Sequence, residues 1–386
     1  VHLAKRGDVV VVSVNHRLNA LGFTFVGDLL GADSGNAELA SSGATGMLDI
    51  VHALKWVRAN IAELGGDPDN VTVFGQSGGG RKVATLLAMP AAKGLFHRAV
   101  IESGATLKLV EVEQGARVAR ELATSLGMSA PTLTDLQAVP LNRLMGAYFE
   151  TVRRMNVDQM TMGFSPVVDG MAIPSHPFHP TASGISADVP LIVGSTRTEL
   201  TSQSDADAFS LDAAALRARI ESLVGAASSE VIEIYRKANS GATPSDLYFL
   251  IASDHRYTAP ILKIAERRAA LGKGPVYLYY FRWESPYQGG RYKAPHTIEI
   301  PFVFHNVASS RLTADAPDAP ALADKVSDAW IAFARTGDPN TPGLPHWPAF
   351  DARKRQTMVF DNLSTVVDDP IREQRIAMFE ALGLTS

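Results

Sequence analysis

No cysteine occurs anywhere in the 386 residues. That excludes disulfides, a cysteine nucleophile and any thiolate-held metal or cluster. It favours a reducing compartment such as the cytoplasm. Secreted proteins of this size also do without disulfides, so a periplasmic or secreted location stays open. Long apolar runs are missing too, and none approaches the length that spans a bilayer. Positive charge is not in excess. The formal net charge is −4, which argues against a nucleic-acid partner, because such surfaces are basic. There is no block of like charges, no fixed-period repeat and no low-complexity tract.

What remains is the balance of an ordinary globular enzyme, 46% hydrophobic and 20% charged. Short apolar runs alternate with helical patterns, the signature of an α/β protein with a mostly parallel central sheet and crossover helices. Strands are predicted at residues 9–14, 71–74, 99–101, 190–193 and 276–281. A helix is predicted over 46–64, where Ile50, Leu54, Val57 and Ile61 lay one apolar stripe against the sheet. Gly65-Gly66-Asp67-Pro68 should stop it. Residues 111–160 and 208–270 read as helical insertions, of the kind that cap the carboxyl end of a sheet, where ligands bind. The expectation is one catalytic domain over residues 1–386. The sequence leaves monomer and homodimer equally open.

The chain opens without methionine and enters the run Val9-Val10-Val11-Val12 almost at once. A buried strand with nothing before it is an unusual start for a domain. An N-terminal segment carrying further strands is therefore expected to precede Val1, and any signal peptide with it.

Gly75-Gln76-Ser77-Gly78-Gly79 fits G-x-S-x-G, and its setting carries more weight than the match. It follows the predicted strand 71–74 and opens a helical pattern through Val83, Leu86 and Leu87. Strand, sharp turn and helix make the nucleophile elbow. Such a turn lifts the Ser77 hydroxyl above the sheet and aims the Gly78 N–H and the helix's positive end at a developing oxyanion. A phosphate-binding loop is a poor fit, because its spacing and lysine-serine/threonine ending are absent.

From here the sequence resembles the type-B carboxylesterase family, which includes the cholinesterases, over nearly its whole length. The likeness is carried by VVVVSVNHRLNALGF (9–23), NIAELGGDPDNVTVFGQSGGG (60–80), GLFHRAVIESGA (94–105), SPVVDG (165–170), FARTGDPN (333–340) and HWPAFD (346–351). The resemblance implies the α/β-hydrolase fold and a serine carboxylesterase acting on small or aryl esters, with no metal or organic cofactor. It also implies an acid in a G-x-x-x-x-E pattern, which places that role on Glu199 after the strand 190–193. The general base should stand in H-x-x-E, and His296 with Glu299 fits it. Chain order Ser, Glu, His supports the choice independently, being the order of this fold. Among the ten histidines, His97 and His305 are expected in packing roles and His2 and His52 at the surface.

The resemblance extends to supporting residues. Ser103 takes the place of a serine that bonds the triad acid. Gln76 stands where the family usually has glutamate, and this loss of charge disfavours cationic substrates. Glu299 is expected as a buried structural carboxylate and is the runner-up for the triad acid. Met160, Met162 and Phe164 precede SPVVDG, where the family lines its acyl pocket, although methionines also fill ordinary cores. Arg81 and Lys82 lie in the first turn of the following helix, where the dipole disfavours cations. They read as a solvated or salt-bridged face more readily than as an attractor of acidic substrates.

An H-G-G-G segment, the family's source of further oxyanion donors, normally lies upstream of residue 9. About a hundred preceding residues are therefore expected, enough for the usual size of a large hydrolase. A lipase or thioesterase using the same triad, and a non-catalytic cholinesterase-like binding module, are the alternatives.

Overall fold

The computed structural model describes residues 2–27, 29–30, 37–156, 163–313 and 316–385. Its centre is a six-stranded sheet in the order β1 (Thr72–Gln76), β2 (Arg98–Glu102), β3 (Leu191–Thr196), β4 (Val276–Phe281), β5 (Gln356–Phe360) and β6 (Thr365–Asp368). The first five run parallel, and β6 returns antiparallel to β5.

Period-2 alternation sends neighbouring side chains to opposite faces of a strand, and both faces here are covered. Ile101, Leu191, Val193 and Leu278 enter one core. Val100, Ile192, Tyr277 and Tyr279 enter the other, against Phe333 and Trp347. Leu191, Ile192 and Val193 have no exposed surface, so each contributes about 1.5–3 kcal/mol of hydrophobic stabilisation. That burial makes β3 a rigid base for the turn at its carboxyl end.

The helices flank this sheet. Helix α1 (Thr45–Asn60) continues as a 3-10 turn, Ile61–Leu64, and its stripe Ile50, Leu54, Val57 and Ile61 is buried as the spacing predicts. Gly65 ends it at φ +81°, donating its N–H to the Ala62 carbonyl. Helix α2 (Gly78–Leu86) connects β1 to β2. The segment 111–160 contains α3 (Val112–Ser125) and α4 (Leu141–Met155), and the segment 208–270 contains α5 (Ala213–Val224), α6 (Ser228–Ala238), α7 (Pro244–Ser253) and α8 (Ala259–Ala269). Helix α8 lies against β3 and β4, the position of a crossover helix. Helix α9 (Ala319–Thr336) covers the other face of the sheet, and α10 (Arg372–Ala381) closes the chain.

Two expectations need correction. Residues 9–14 form no strand, and Val10, Val11, Val12 and Val14 are 39–43% exposed. No strand of the described residues pairs with the outer edge of β1, and this apolar run lies off the sheet. The second concerns β5 and β6, which the apolar patterning does not predict. They form a hairpin that extends the sheet beyond β4.

Candidate active site

Because β1 to β4 are parallel, their carboxyl ends meet on one edge, and the candidate residues stand on the turns that leave it. Ser77 sits between β1 and α2 at φ +56°, ψ −118°, a conformation non-glycine residues rarely hold and which clusters at functional sites. Its N–H is anchored on the Glu102 carbonyl at 2.8 Å, and its own carbonyl accepts from the Arg81 N–H at 3.0 Å. The turn is tight where the backbones touch. A Cβ on Gly75 would lie 2.5 Å from the Gly79 carbonyl carbon, and one on Gly80 2.9 Å from the Gly104 Cα. Gly79 itself has open space, so the crowding falls on Gly75 and Gly80 rather than on both glycines of the motif. Gly78 is the first residue of α2, where N–H groups lack an intrahelical acceptor.

Glu199 lies just beyond β3 and is fully buried. Its Oε1 accepts from Ser103 Oγ at 2.6 Å and from the Thr196 N–H at 2.8 Å. Its Oε2 stands 2.5 Å from His296 Nδ1. The His296 N–H also donates to the Glu199 carbonyl at 3.2 Å. Burying a carboxylate is costly unless charge-assisted bonds replace its water, and three donors do so here. His296 is itself buried, and the Tyr257 ring packs on the imidazole at 5.1 Å between centroids. The Tyr257 hydroxyl is tied to the Gln203 amide at 3.2 Å. Tyr257 belongs to a π-helical turn, Asp254–Thr258, an irregularity frequent at functional sites. Sequence reasoning passes over it, since a lone tyrosine inside a helical stretch carries no signal.

Ser77 Oγ forms no hydrogen bond to His296 among the described residues. The Gln76 Nε2 instead lies 3.3 Å from His296 Nε2 and 3.4 Å from Nδ1. Catalytic hydrogen bonds are often loose in free enzymes and tighten in the Michaelis complex. Glu299 is brought to Ser103, whose Oγ is 3.3 Å from its Oε1, and not to His296. Burial, followed by the nearby Glu199 and Glu102 charges, pushes the Glu299 carboxyl well above the usual range. The neighbouring Glu102, also buried, is pushed up to about 7 and accepts from Trp330 Nε1 at 2.8 Å.

Met160 and Met162 lie outside the described residues. Phe164 is buried in the main core against Tyr148, at 5.0 Å between ring centroids. His2 and His52 are exposed, and His97 accepts the Val71 N–H in the fold. His305 Nε2 lies 2.8 Å from Asp324 Oδ1 and 3.3 Å from Arg6 Nη1, a polar contact rather than the packing role expected. Among the described residues no cluster of three or more His, Asp or Glu side chains is arranged to hold a metal ion, and no helix is long and apolar enough to cross a membrane.

With this geometry in place, comparison with known proteins is specific. A profile of the carboxylesterase family matches residues 1–379. The para-nitrobenzyl esterase of Bacillus subtilis (strain 168) is 35% identical over 99% of this chain and 75% of its own length. The phenmedipham hydrolase of Pseudarthrobacter oxydans is 31% identical over 97% of this chain and 74% of its own. Among solved structures, a Geobacillus stearothermophilus carboxylesterase superposes with a TM-score of 0.82 at 34% identity, over 98% of this chain and 77% of that one.

Proposed function

The chain belongs to the carboxylesterase family and is a carboxylic ester hydrolase of the α/β-hydrolase fold, and from that premise we propose that Ser77, Glu199 and His296 are its catalytic triad. A serine hydroxyl is a weak nucleophile, so His296 takes its proton as Ser77 Oγ attacks the ester carbonyl. The Gly78 N–H receives the oxyanion. Glu199 holds the imidazole in the tautomer that keeps Nε2 free to accept, and stabilises the imidazolium that forms. His296 then protonates the departing alcohol. Water attacks the acyl-enzyme by the reverse sequence, releasing the acid and restoring Ser77.

The observation that carries this reading is the buried Glu199 carboxylate 2.5 Å from His296 Nδ1, on the same sheet edge as a serine in strained backbone. Ser103 supports Glu199 from behind, and Gln76 borders the imidazole. The relatives named para-nitrobenzyl esterase and phenmedipham hydrolase support small or aryl esters as substrates. Phe164, with Met160 and Met162, remains the proposed acyl-side lining. No nucleic-acid partner enters this reading.

The test is hydrolysis of p-nitrophenyl acetate and butyrate by the wild type beside Ser77→Ala and Glu199→Gln. Ser77→Ala should lose about 10⁶ in kcat, and Glu199→Gln about 10⁴. A Ser77→Ala variant that keeps wild-type turnover would overturn the assignment.

A further inference from the structure

Arg81 and Lys82 come soon after the nucleophile, where the first turn of α2 passes into the second, and the triad chemistry uses neither. Lys82 does not extend into solvent. It folds back along α2, so that Nζ donates to the Gly78 carbonyl at 3.1 Å and stands 5.9 Å from the centroid of the Phe23 ring. A methyl group on Gly78 would lie 3.6 Å from Nζ. The ammonium therefore rests on the carbonyl side of Gly78, the residue whose N–H is proposed to receive the oxyanion.

No carboxylate among the described residues neutralises it. Among the described residues its hydrogen-bond partner is a neutral carbonyl. Burial first, and then the Arg81 charge, holds its ammonium below the usual lysine range, with no carboxylate of the described residues acting the other way. Asp49 is engaged by Arg17 at 2.6 Å. The Arg81 charge also bears on Tyr257, the residue packed on His296. A cation drawn partly out of water is costly unless an anion meets it.

We propose that Lys82 receives an ionised carboxylate carried by the substrate, so that the site favours esters bearing a free acid group over their neutral counterparts. This rests on the reading of Ser77 as the nucleophile. The reaction is ordinary hydrolysis: the acyl carbon–oxygen bond breaks, water's oxygen joins the acyl carbon, and its proton goes to the alcohol. The free carboxylate is unchanged. It can lie on the acyl side, as in a half-ester of a dicarboxylic acid, or on the alcohol side.

The two sources are separated by matched pairs. The acyl pair is p-nitrophenyl hydrogen adipate and p-nitrophenyl methyl adipate. The alcohol pair is p-acetoxybenzoate and its methyl ester. The readout is the ratio of kcat/KM, acid over methyl ester, in wild type, Lys82→Met, Lys82→Gln and Lys82→Arg. In at least one pair the ratio should fall about tenfold in both neutral variants and stay near wild type in Lys82→Arg. In that pair, added salt should lower the wild-type ratio and leave that of Lys82→Met unmoved. Ratios within twofold of wild type in both pairs would overturn the proposal. Equal losses on acid and methyl ester would also overturn it, since the ammonium would then act on the reacting oxyanion. If the methyl esters are cleaved with dependence on Ser77 while the ratios stay put, this inference fails alone. If wild type cleaves neither member of either pair, the reading of Ser77 fails with it.

Discussion

Glu102 is a carboxyl sunk beneath the site with Trp330 Nε1 as its side-chain hydrogen-bond partner. Burial lifts it from 4.5 to about 7, so between those values the folded chain keeps a proton that the unfolded chain releases. Its stabilising contribution is complete below the unfolded value and is lost as pH rises through that window, a loss of about 3 kcal/mol. Glu102→Gln stays neutral and keeps an acceptor for Trp330. Its denaturation midpoint should therefore gain on wild type between pH 5 and pH 8, and parallel pH profiles would contradict this. Gln76 permits a second test. A carboxylate placed 3.3–3.4 Å from the His296 nitrogens favours the imidazolium. Gln76→Glu should thus move the acid limb of the kcat/KM pH profile up by about one unit, and an unmoved limb would show that residue 76 does not face the working imidazole. At this scale the sequence is legible where a local pattern recurs, as at Ser77, and where the family resemblance reaches, as at His296 and Ser103. It does not show that Gln76 rather than Ser77 touches the imidazole, or that Tyr257 covers it, because neither contact has a local spacing.

The elbow works as an element because two backbones cross at van der Waals distance. Gly80 would place a Cβ 2.9 Å from both the Gly104 Cα and the Gly75 carbonyl oxygen, and backbone atoms cannot rotate away. Gly80→Ala should cost about 1–3 kcal/mol and lower the melting temperature by several degrees. Gly146 in α4 is the contrast, exposed and with nothing within 4 Å of its added Cβ. Gly146→Ala should stabilise by up to about 1 kcal/mol through helix propensity. A larger loss at Gly146 than at Gly80 in thermal melts would contradict the packing account. The helix stripe of α1 and four of the six strands are readable from periodicity. The run at 9–14 misleads because an apolar stretch has the same pattern whether or not it pairs into a sheet. The hairpin of β5 and β6 escapes that reading although Asp361 and Asn362, typical turn residues, separate its two short runs.

Across the whole molecule, the parallel strands β1 to β4 bring groups distant in sequence to one edge. Ser77 and Glu199 stand 122 positions apart, and Glu199 reaches His296 across another 97. No local motif encodes that meeting. Chain order and family resemblance point to it, and parallel pairing of β1 to β4 supplies its physical cause. The central claim is that this edge works through an acyl-enzyme on Ser77. Its most direct test is a rapid-mix experiment with p-nitrophenyl acetate, then acid quench and peptide mass mapping. The account predicts a nitrophenol burst of about one equivalent per chain and an acetylated peptide containing Ser77, both abolished in Ser77→Ala. Steady hydrolysis with no burst and no adduct, persisting in Ser77→Ala, would contradict it.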